Sequence, residues 1–209
     1  MKKLSAFMAF LIVSLFASLH AQNLTIESVC SALSKNKITK GDFIQEKTIG
    51  KNGRTLKSSG KFIFAPDGIV WATERPFPST LVLGKDYMIQ ISSDGTKKVM
   101  DASGNEAFKS VSSTLLAVFS NDVSKLNESF KVVFTSDSGN WSVVLEPKDK
   151  TVAAIMTGIS LSGKSSSGNS EISTVELNES KGNKVSYTFL NQSHPKELSS
   201  DEKALFNNR

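Results

Sequence analysis

The sequence is poor in the residues that most often carry redox, metal and acid-base chemistry. Its 209 residues include one cysteine, Cys30, and two histidines, His20 and His194. A single thiol cannot close an internal disulfide, so the fold has to hold without one. The chain also has no HExxH motif, no GxSxG elbow and no group of cysteine and histidine at metal-ligand spacing. We therefore expect no catalytic residue, no metal ion and no cofactor.

The chain also lacks a strong charge of either sign. Its formal net charge is +5, and no run of basic residues is interleaved with aromatic ones. Such a chain has little with which to hold a phosphate backbone, so we expect no nucleic-acid partner. The charge implies no more than a weak, unspecific attraction to anionic membrane surfaces. With 39% hydrophobic and 22% charged residues, the composition is that of an ordinary globular protein.

Long hydrophobic runs are missing everywhere except at the N-terminus. There Lys2 and Lys3 precede an uncharged apolar run, and Ala21 offers a small residue for cleavage. This pattern predicts a secretory signal peptide over residues 1–21, followed by a single domain over residues 22–209. An uncleaved membrane anchor is the alternative, although the run is short for a spanning helix. Removing the signal lowers the formal charge from +5 to +3 and predicts a soluble protein exported to the periplasm.

The chain after the signal begins with a short helical pattern. Ile26, Val29, Cys30 and Leu33 recur at the spacing that places apolar side chains on one face of a helix. This spacing favours a buried structural role for Cys30 over a reactive thiol, since neither histidine comes with an obvious orienting partner.

Most of the remaining chain has the pattern of β-strands. About eleven runs rich in β-branched and aromatic residues are separated by turn pairs such as Asp67-Gly68 and Ser138-Gly139. The short spacers favour antiparallel neighbours over crossover helices. The runs cover residues 39–48, 55–65, 69–73, 79–83, 87–92, 96–100, 130–136, 140–147, 152–162, 172–179 and 184–192.

Two further helical segments are predicted. Apolar residues recur at helical spacing within residues 105–126, which predicts one amphipathic helix or two short ones between the sixth and seventh strands. Near the end of the chain, Ser199 is followed three residues later by Glu202. This capping-box pattern predicts a short final helix.

One glycine-containing stretch imitates a phosphate-binding loop. Gly158, Gly163, Lys164 and Ser165 satisfy the spacing GxxxxGKS, in which backbone amides wrap phosphate at the start of a helix. Here the preceding residues are strand-like, and the following SSSGNSEIS returns to a strand instead of opening a helix. We therefore predict a β-hairpin and no nucleotide binding.

The hairpin around residue 67 is unusual because it is apolar on both faces. Residues 62–65 and 69–72 are all apolar, whereas an antiparallel sheet usually needs only one apolar face. A curved sheet with a helix over its concave side would explain the second face, and a loosely fitting helix would leave a dry cavity for an apolar ligand. The alternative is that Ile69 and Trp71 are ordinary core residues.

The motifs of residues 41–83 have a distinctive order. They are Phe43-x-Gln45 in the first strand, Gly60-x-Phe62 in the second, and, after the turn, Trp71 followed by Pro76 and an Ile/Leu/Val strand. In this order and spacing the chain resembles the outer-membrane lipoprotein carrier family, LolA, over residues 24–206. The turn 65–68 departs from well-studied carriers because it holds no arginine to latch a lid. In this the chain is similar to a divergent branch of the family associated with lipid or polyene exporters.

The resemblance implies a mainly β fold, an incomplete (open) antiparallel barrel of about eleven strands with a helical lid. It implies that the ligand lies between the concave face of the barrel and the lid. The ligand-binding residues that it implies on the sheet are Phe43, Phe62, Phe64, Ile69, Trp71, Leu81 and Leu83. Those that it implies on the lid are Leu115, Leu116 and Phe119.

The resemblance also implies a function. A protein of this family would be a periplasmic monomer that shields the acyl chains of a lipoprotein or lipid. It would carry them from an inner-membrane transporter or exporter toward an outer-membrane acceptor. A lipid sensor or envelope regulator with the same fold and no transport role is the alternative, and a hydrolase or a purely structural β-protein is the third interpretation.

Overall fold

The computed structural model describes residues 24–50, 53–84, 87–101, 114, 117–118 and 121–207. The strands are β1 (Thr39–Thr48), β2 (Thr55–Ala65), β3 (Gly68–Arg75), β4 (Ser79–Leu83), β5 (Tyr87–Ser92), β6 (Lys97–Asp101), β7 (Phe130–Asp137), β8 (Asn140–Pro147), β9 (Met156–Ser166), β10 (Asn169–Glu179) and β11 (Lys184–Ser193). The helices are α1 (Ile26–Ser34), α2 (Val123–Ser129), α3 (Lys150–Ala153) and α4 (Ser200–Asn207). None of the helices in these residues combines the length and the hydropathy needed to cross a membrane.

All eleven strands belong to one antiparallel sheet with the order β6-β5-β4-β3-β2-β1-β11-β10-β9-β8-β7. Neighbouring strands are consecutive in the chain except β1 and β11, which pair with Thr48 opposite Lys184. The sheet therefore consists of two meanders joined along β1 and β11, and it stays open between β6 and β7. The predicted open antiparallel sheet of eleven strands is confirmed.

The concave face of the sheet carries the larger of two hydrophobic clusters. Helix α1 packs on this face through Val29, Cys30 and Leu33. The helix begins at a capping box in which Thr25 Oγ1 accepts a hydrogen bond from Ser28 N at 3.2 Å. Two apolar faces therefore meet here, one from the helix and one from the strands, which fixes α1 across the sheet.

The convex face carries the second cluster, and helix α4 covers it. Phe206 of α4 packs there with Ile63 of β2 and Val70 of β3. The predicted capping box is present, since Ser199 N donates to Glu202 Oε2 at 2.8 Å. The second apolar face of the hairpin therefore has a packing partner of its own, supplied by the C-terminal end of the chain.

The predicted strand over residues 152–162 begins too early. Residues 150–153 form the short helix α3 because the Asp149 side chain accepts hydrogen bonds from Thr151 N and Val152 N at 2.8 and 3.0 Å. Strand β9 begins only at Met156. The apolar run therefore spans a capped helical turn and a strand.

The region predicted as one amphipathic helix or two short ones lies partly outside the described residues. Thr114, Ala117 and Val118 are helical, and α2 follows after Asn121, whose φ is +60°. The side chains of Ala117 and Val118 are buried in the concave cluster. This segment therefore reaches the face that was predicted to need a helical cover.

Candidate functional site

A cavity of about 390 Å³ lies on the concave face of the sheet. Its volume falls within the range of small-molecule pockets, toward the lower end. Seven strands contribute to its wall, which contains both apolar and neutral polar side chains. The wall is formed by Gln45, Trp71, Thr73, Ser79, Thr80, Leu81, Leu83, Met88, Gln90, Met100, Val175, Leu177 and Tyr187.

Trp71 is the largest apolar side chain of the cavity wall. It is only half-buried, and its ring lies 5.6 Å from Phe64 and 5.5 Å from Tyr187, measured between ring centroids. Its indole Nε1 is buried and has no hydrogen-bond acceptor among the described residues. An unpaired donor in an apolar setting is unfavourable, so the ring position is held by its ring contacts and not by a polar bond.

The wall also includes neutral polar side chains. Gln45 is fixed there because its Oε1 accepts a hydrogen bond from Ser58 Oγ at 3.0 Å. Burial raises the pKa of the Tyr187 hydroxyl to about 12, so this group stays protonated at neutral pH. The described residues of the wall therefore offer neutral hydrogen-bonding groups and no charged side chain to a ligand.

The other end of the concave face is filled by aromatic packing. Phe62 lies 4.8 Å from both Phe64 and Phe189, measured between ring centroids. Phe43 and Ile69 are each only 1% exposed and belong to the same cluster. Such tight packing leaves no room for a ligand between these rings, so this end is closed.

The structure separates the predicted ligand-binding residues into three groups. Those that lie in the cavity wall are Trp71, Leu81 and Leu83. Those that lie in the packed core beside the cavity, on the same face, are Phe43, Phe62, Phe64 and Ile69. Those that lie outside the described residues are Leu115, Leu116 and Phe119.

Several wall residues were not among the predicted ones. Met88 and Met100 come from β5 and β6, and Val175 and Tyr187 come from β10 and β11. The alternation of apolar residues in these strands was a usable signal, since all four lie on the inward-facing side. The pairing of β1 with β11 brings the last two beside the hairpin of β2 and β3.

Among the described residues, those with potential for other chemistry do not form a site. Burial, with a smaller contribution from Glu27, raises the pKa of the Cys30 thiol to about 11, which keeps it protonated and unreactive. Lys164 and Ser165 lie in β9, which turns at Gly168 into β10, so the predicted hairpin is confirmed. No group of three metal-ligating side chains occurs in the part of the chain that the structure describes.

Comparison with known proteins gives a family match over most of the chain. The model of the family described as "Outer membrane lipoprotein carrier protein LolA" matches residues 34–206. No curated protein matches the chain.

Solved structures that are similar to this chain share little sequence with it, as two examples show. A DUF1329 family protein from Desulfovibrio piger is 9% identical, with a TM-score of 0.47 over 83% of this chain and 92% of that one. A LolA superfamily protein from Nitrosomonas europaea is 6% identical, with a TM-score of 0.46 over 85% of this chain and 96% of that one. On the strength of the family model, the chain belongs to the LolA family of outer membrane lipoprotein carrier proteins.

Proposed function

We propose that this protein is a periplasmic carrier that holds an acyl chain of a lipid or lipoprotein in the concave cavity. The observation that carries the proposal is the cavity itself, about 390 Å³ in volume and walled by Trp71, Leu81, Leu83 and Met88. Among the residues that the structure describes, its wall has no charged side chain and no arrangement of groups for acid-base or nucleophilic catalysis. Such a site suits a ligand that is bound and released unchanged.

The physical need for a carrier follows from the cost of moving an acyl chain through water. Each buried methylene contributes about 0.8 kcal/mol, so a chain of about 16 carbons resists leaving a membrane by roughly 12 kcal/mol. A soluble protein lowers this barrier only if it offers the chain a surface of similar apolarity. In this protein the apolar wall offers that surface, and the neutral polar groups of the wall, among them the Tyr187 hydroxyl, suit an ester or headgroup.

The proposed route begins with export of the protein. We propose that residues 1–21 are cleaved as a signal peptide and that residues 22–209 form one carrier domain. The cargo would be received from an inner-membrane transporter or exporter and passed to an outer-membrane acceptor. Sequencing the N-terminus of protein from the periplasmic fraction tests this step. A start near Gln22 supports it, and recovery of the intact chain in the inner membrane contradicts it.

The proposed function is tested by identifying what the purified protein carries. Protein purified without detergent should release acyl lipids that mass spectrometry detects in constant proportion to protein. The variant Leu81→Glu should lose most of this lipid, because an unpaired carboxylate in an apolar cavity is strongly unfavourable. Val144→Glu is the matched control, since Val144 is an exposed residue of β8 outside the cavity wall. Lipid-free wild-type protein, or equal lipid in Leu81→Glu and wild type, would contradict the proposal.

A further inference from the structure

Four exposed apolar side chains lie at one end of the sheet, and they are called the apolar rim here. They are Ile49, Leu56, Phe77 and Ile155. Phe77 is 82% exposed, more than any other large apolar residue of the described chain. The other exposed large apolar residues lie within strands, and none lies in the described turns of the opposite end.

Hydrogen bonds join the turns of this end into one surface. Gly50 N, next to Ile49, donates to Asn183 Oδ1 of the turn between β10 and β11 at 2.9 Å. Ser180 N of the same turn donates to the Ile155 carbonyl oxygen at 2.9 Å. Three separate connections of the chain are therefore held side by side, with apolar side chains at two of them.

The loop between β3 and β4 adds Phe77 at the same end. Arg75, the last residue of β3, pairs with Ser59, whereas β2 extends beyond it to Thr55. Leu56 lies in this projecting part of β2 and is exposed. The rim therefore runs from Phe77 past Leu56 to the turn between β1 and β2.

The rim carries unpaired positive charge between its apolar side chains. Arg54, Arg75, Lys150 and Lys181 are exposed, and none forms an ion pair with a described residue. Most neighbouring acidic side chains already have a partner. Glu46 forms an ion pair with Lys57, Glu179 with Lys47 and Glu176 with Lys184, and Asp149 caps the N-terminus of α3. Glu74, beside Arg75, stays exposed. The unpaired charge of this surface is thus predominantly positive.

The cavity reaches the same end of the sheet. Its wall includes Ser79, the first residue of β4, which stands two positions after Phe77. It also includes Thr73, two positions before the end of β3, and Leu177, two positions before the end of β10. A ligand that enters from this end passes directly along the apolar rim.

We infer that the apolar rim docks on the surface of a bilayer that contains anionic phospholipid, with Phe77 inserted among the headgroups. Exposed apolar side chains of separate segments at one end of the sheet, with cations among them, match the layered chemistry of a membrane interface. A stable protein partner would instead need a continuous packed surface of about 800 Å². This extends the proposed carrier function, because a docked rim would place this end of the cavity against the membrane.

The test is flotation of the purified full chain with vesicles of phosphatidylcholine alone or mixed with phosphatidylglycerol. Wild type should bind the mixed vesicles, and high salt should weaken the binding. Phe77→Ser should weaken it about ten-fold, because the lost side chain no longer leaves water. Lys181→Gln should weaken it about five-fold on mixed vesicles only. Val144→Ser and Lys164→Gln, exposed positions outside the rim, should bind like wild type.

The outcomes separate this inference from the carrier function. Each variant is also titrated with a fluorescent fatty acid in the absence of vesicles, where Phe77→Ser should bind like wild type. Wild type that binds the fatty acid and ignores the mixed vesicles overturns membrane docking and leaves the carrier function standing. Equal vesicle binding by Phe77→Ser and wild type also overturns it. Native membranes before and after protease treatment are tested in the same way. If the protein binds them only before the treatment, its partner is a protein, and this outcome also overturns membrane docking.

Discussion

The ring of Trp71 on β3 lies 5.5 Å from the ring of Tyr187 on β11, measured between centroids. Two strands, β2 and β1, lie between β3 and β11 in the sheet. At about 4.8 Å per strand, a flat sheet would keep the two backbones about 14 Å apart. The two long side chains can meet because the sheet curves strongly, and this curvature creates the concave cavity that they line.

The two tryptophans should respond differently to truncation. Trp141 is 3% exposed and packs directly over Gly163, so Trp141→Ala should lower the free energy of unfolding by about 3–5 kcal/mol. Trp71→Ala should lower it by less, because the cavity side of this ring has no tight neighbours among the described residues. Urea denaturation of the ligand-free variants and wild type measures both losses in the free energy of unfolding. Equal losses would show that Trp71 is an ordinary core residue.

Gly60 is expected to tolerate no side chain. A Cβ atom there would lie 2.0 Å from the Ala72 carbonyl oxygen and 2.8 Å from Thr73 Cα, both of which are backbone atoms. Gly60→Ala should therefore destabilise the protein by about 1–3 kcal/mol or more, as forced overpacking does. Gly158→Ala is the control in another strand, since its Cβ would approach the nearest backbone oxygen only to 3.2 Å. Equal unfolding midpoints for the two variants would contradict this steric assignment.

Cys30 should be protected from thiol reagents in the folded protein. The thiol is buried beneath α1, and burial with the nearby Glu27 raises its pKa to about 11, so almost no thiolate is present at neutral pH. Labelling with an aromatic disulfide reagent should proceed only as fast as the protein opens, and rapidly in denaturant. Fast stoichiometric labelling under native conditions would contradict the assigned packing of α1.

Helix α4 should contribute stability that is lost in acid. The hydrogen bond from Lys40 Nζ at 2.8 Å, with the Ser199 backbone amide, lowers the pKa of Glu202 below its ordinary value of 4.5. Because the folded-state pKa is the lower one, this stability is present above pH 4.5 and is lost as the pH falls through the folded value. Glu202→Gln should lower stability by less than about 1 kcal/mol at pH 7. The gap should shrink below pH 4.5, and a gap independent of pH would contradict the assignment.

Local patterns were sufficient to predict most elements of this fold. Turn pairs such as Asp67-Gly68 set the hairpins, and the Ser199–Glu202 pair marked the start of α4 correctly. The error at residues 152–155 arose because an apolar run has the same composition in a strand and in a capped helical turn. The hydrogen bonds of Asp149 decided the outcome there.

The candidate site was less predictable because it depends on contacts between distant parts of the chain. The position of Tyr187 beside Trp71 requires the pairing of β1 with β11 and the curvature of the sheet. The packing of Phe62 and Phe64 in the closed end depends on Phe189, from the last strand. Periodicity tells which face a side chain occupies, but it does not tell whether that part of the face is filled or empty.

The claim that the cavity holds an acyl chain is tested most directly by the fluorescence of Trp71 during titration with a long-chain fatty acid. In a Trp141→Phe variant, Trp71 is the sole tryptophan, and in Trp71→Phe the buried Trp141 is the sole reporter. We expect a saturable blue shift or intensity change from Trp71 and no change from Trp141. If Trp71 ignores the ligand while the variant stays folded, or if both tryptophans respond alike, the cavity is not the binding site and the carrier function loses its physical support.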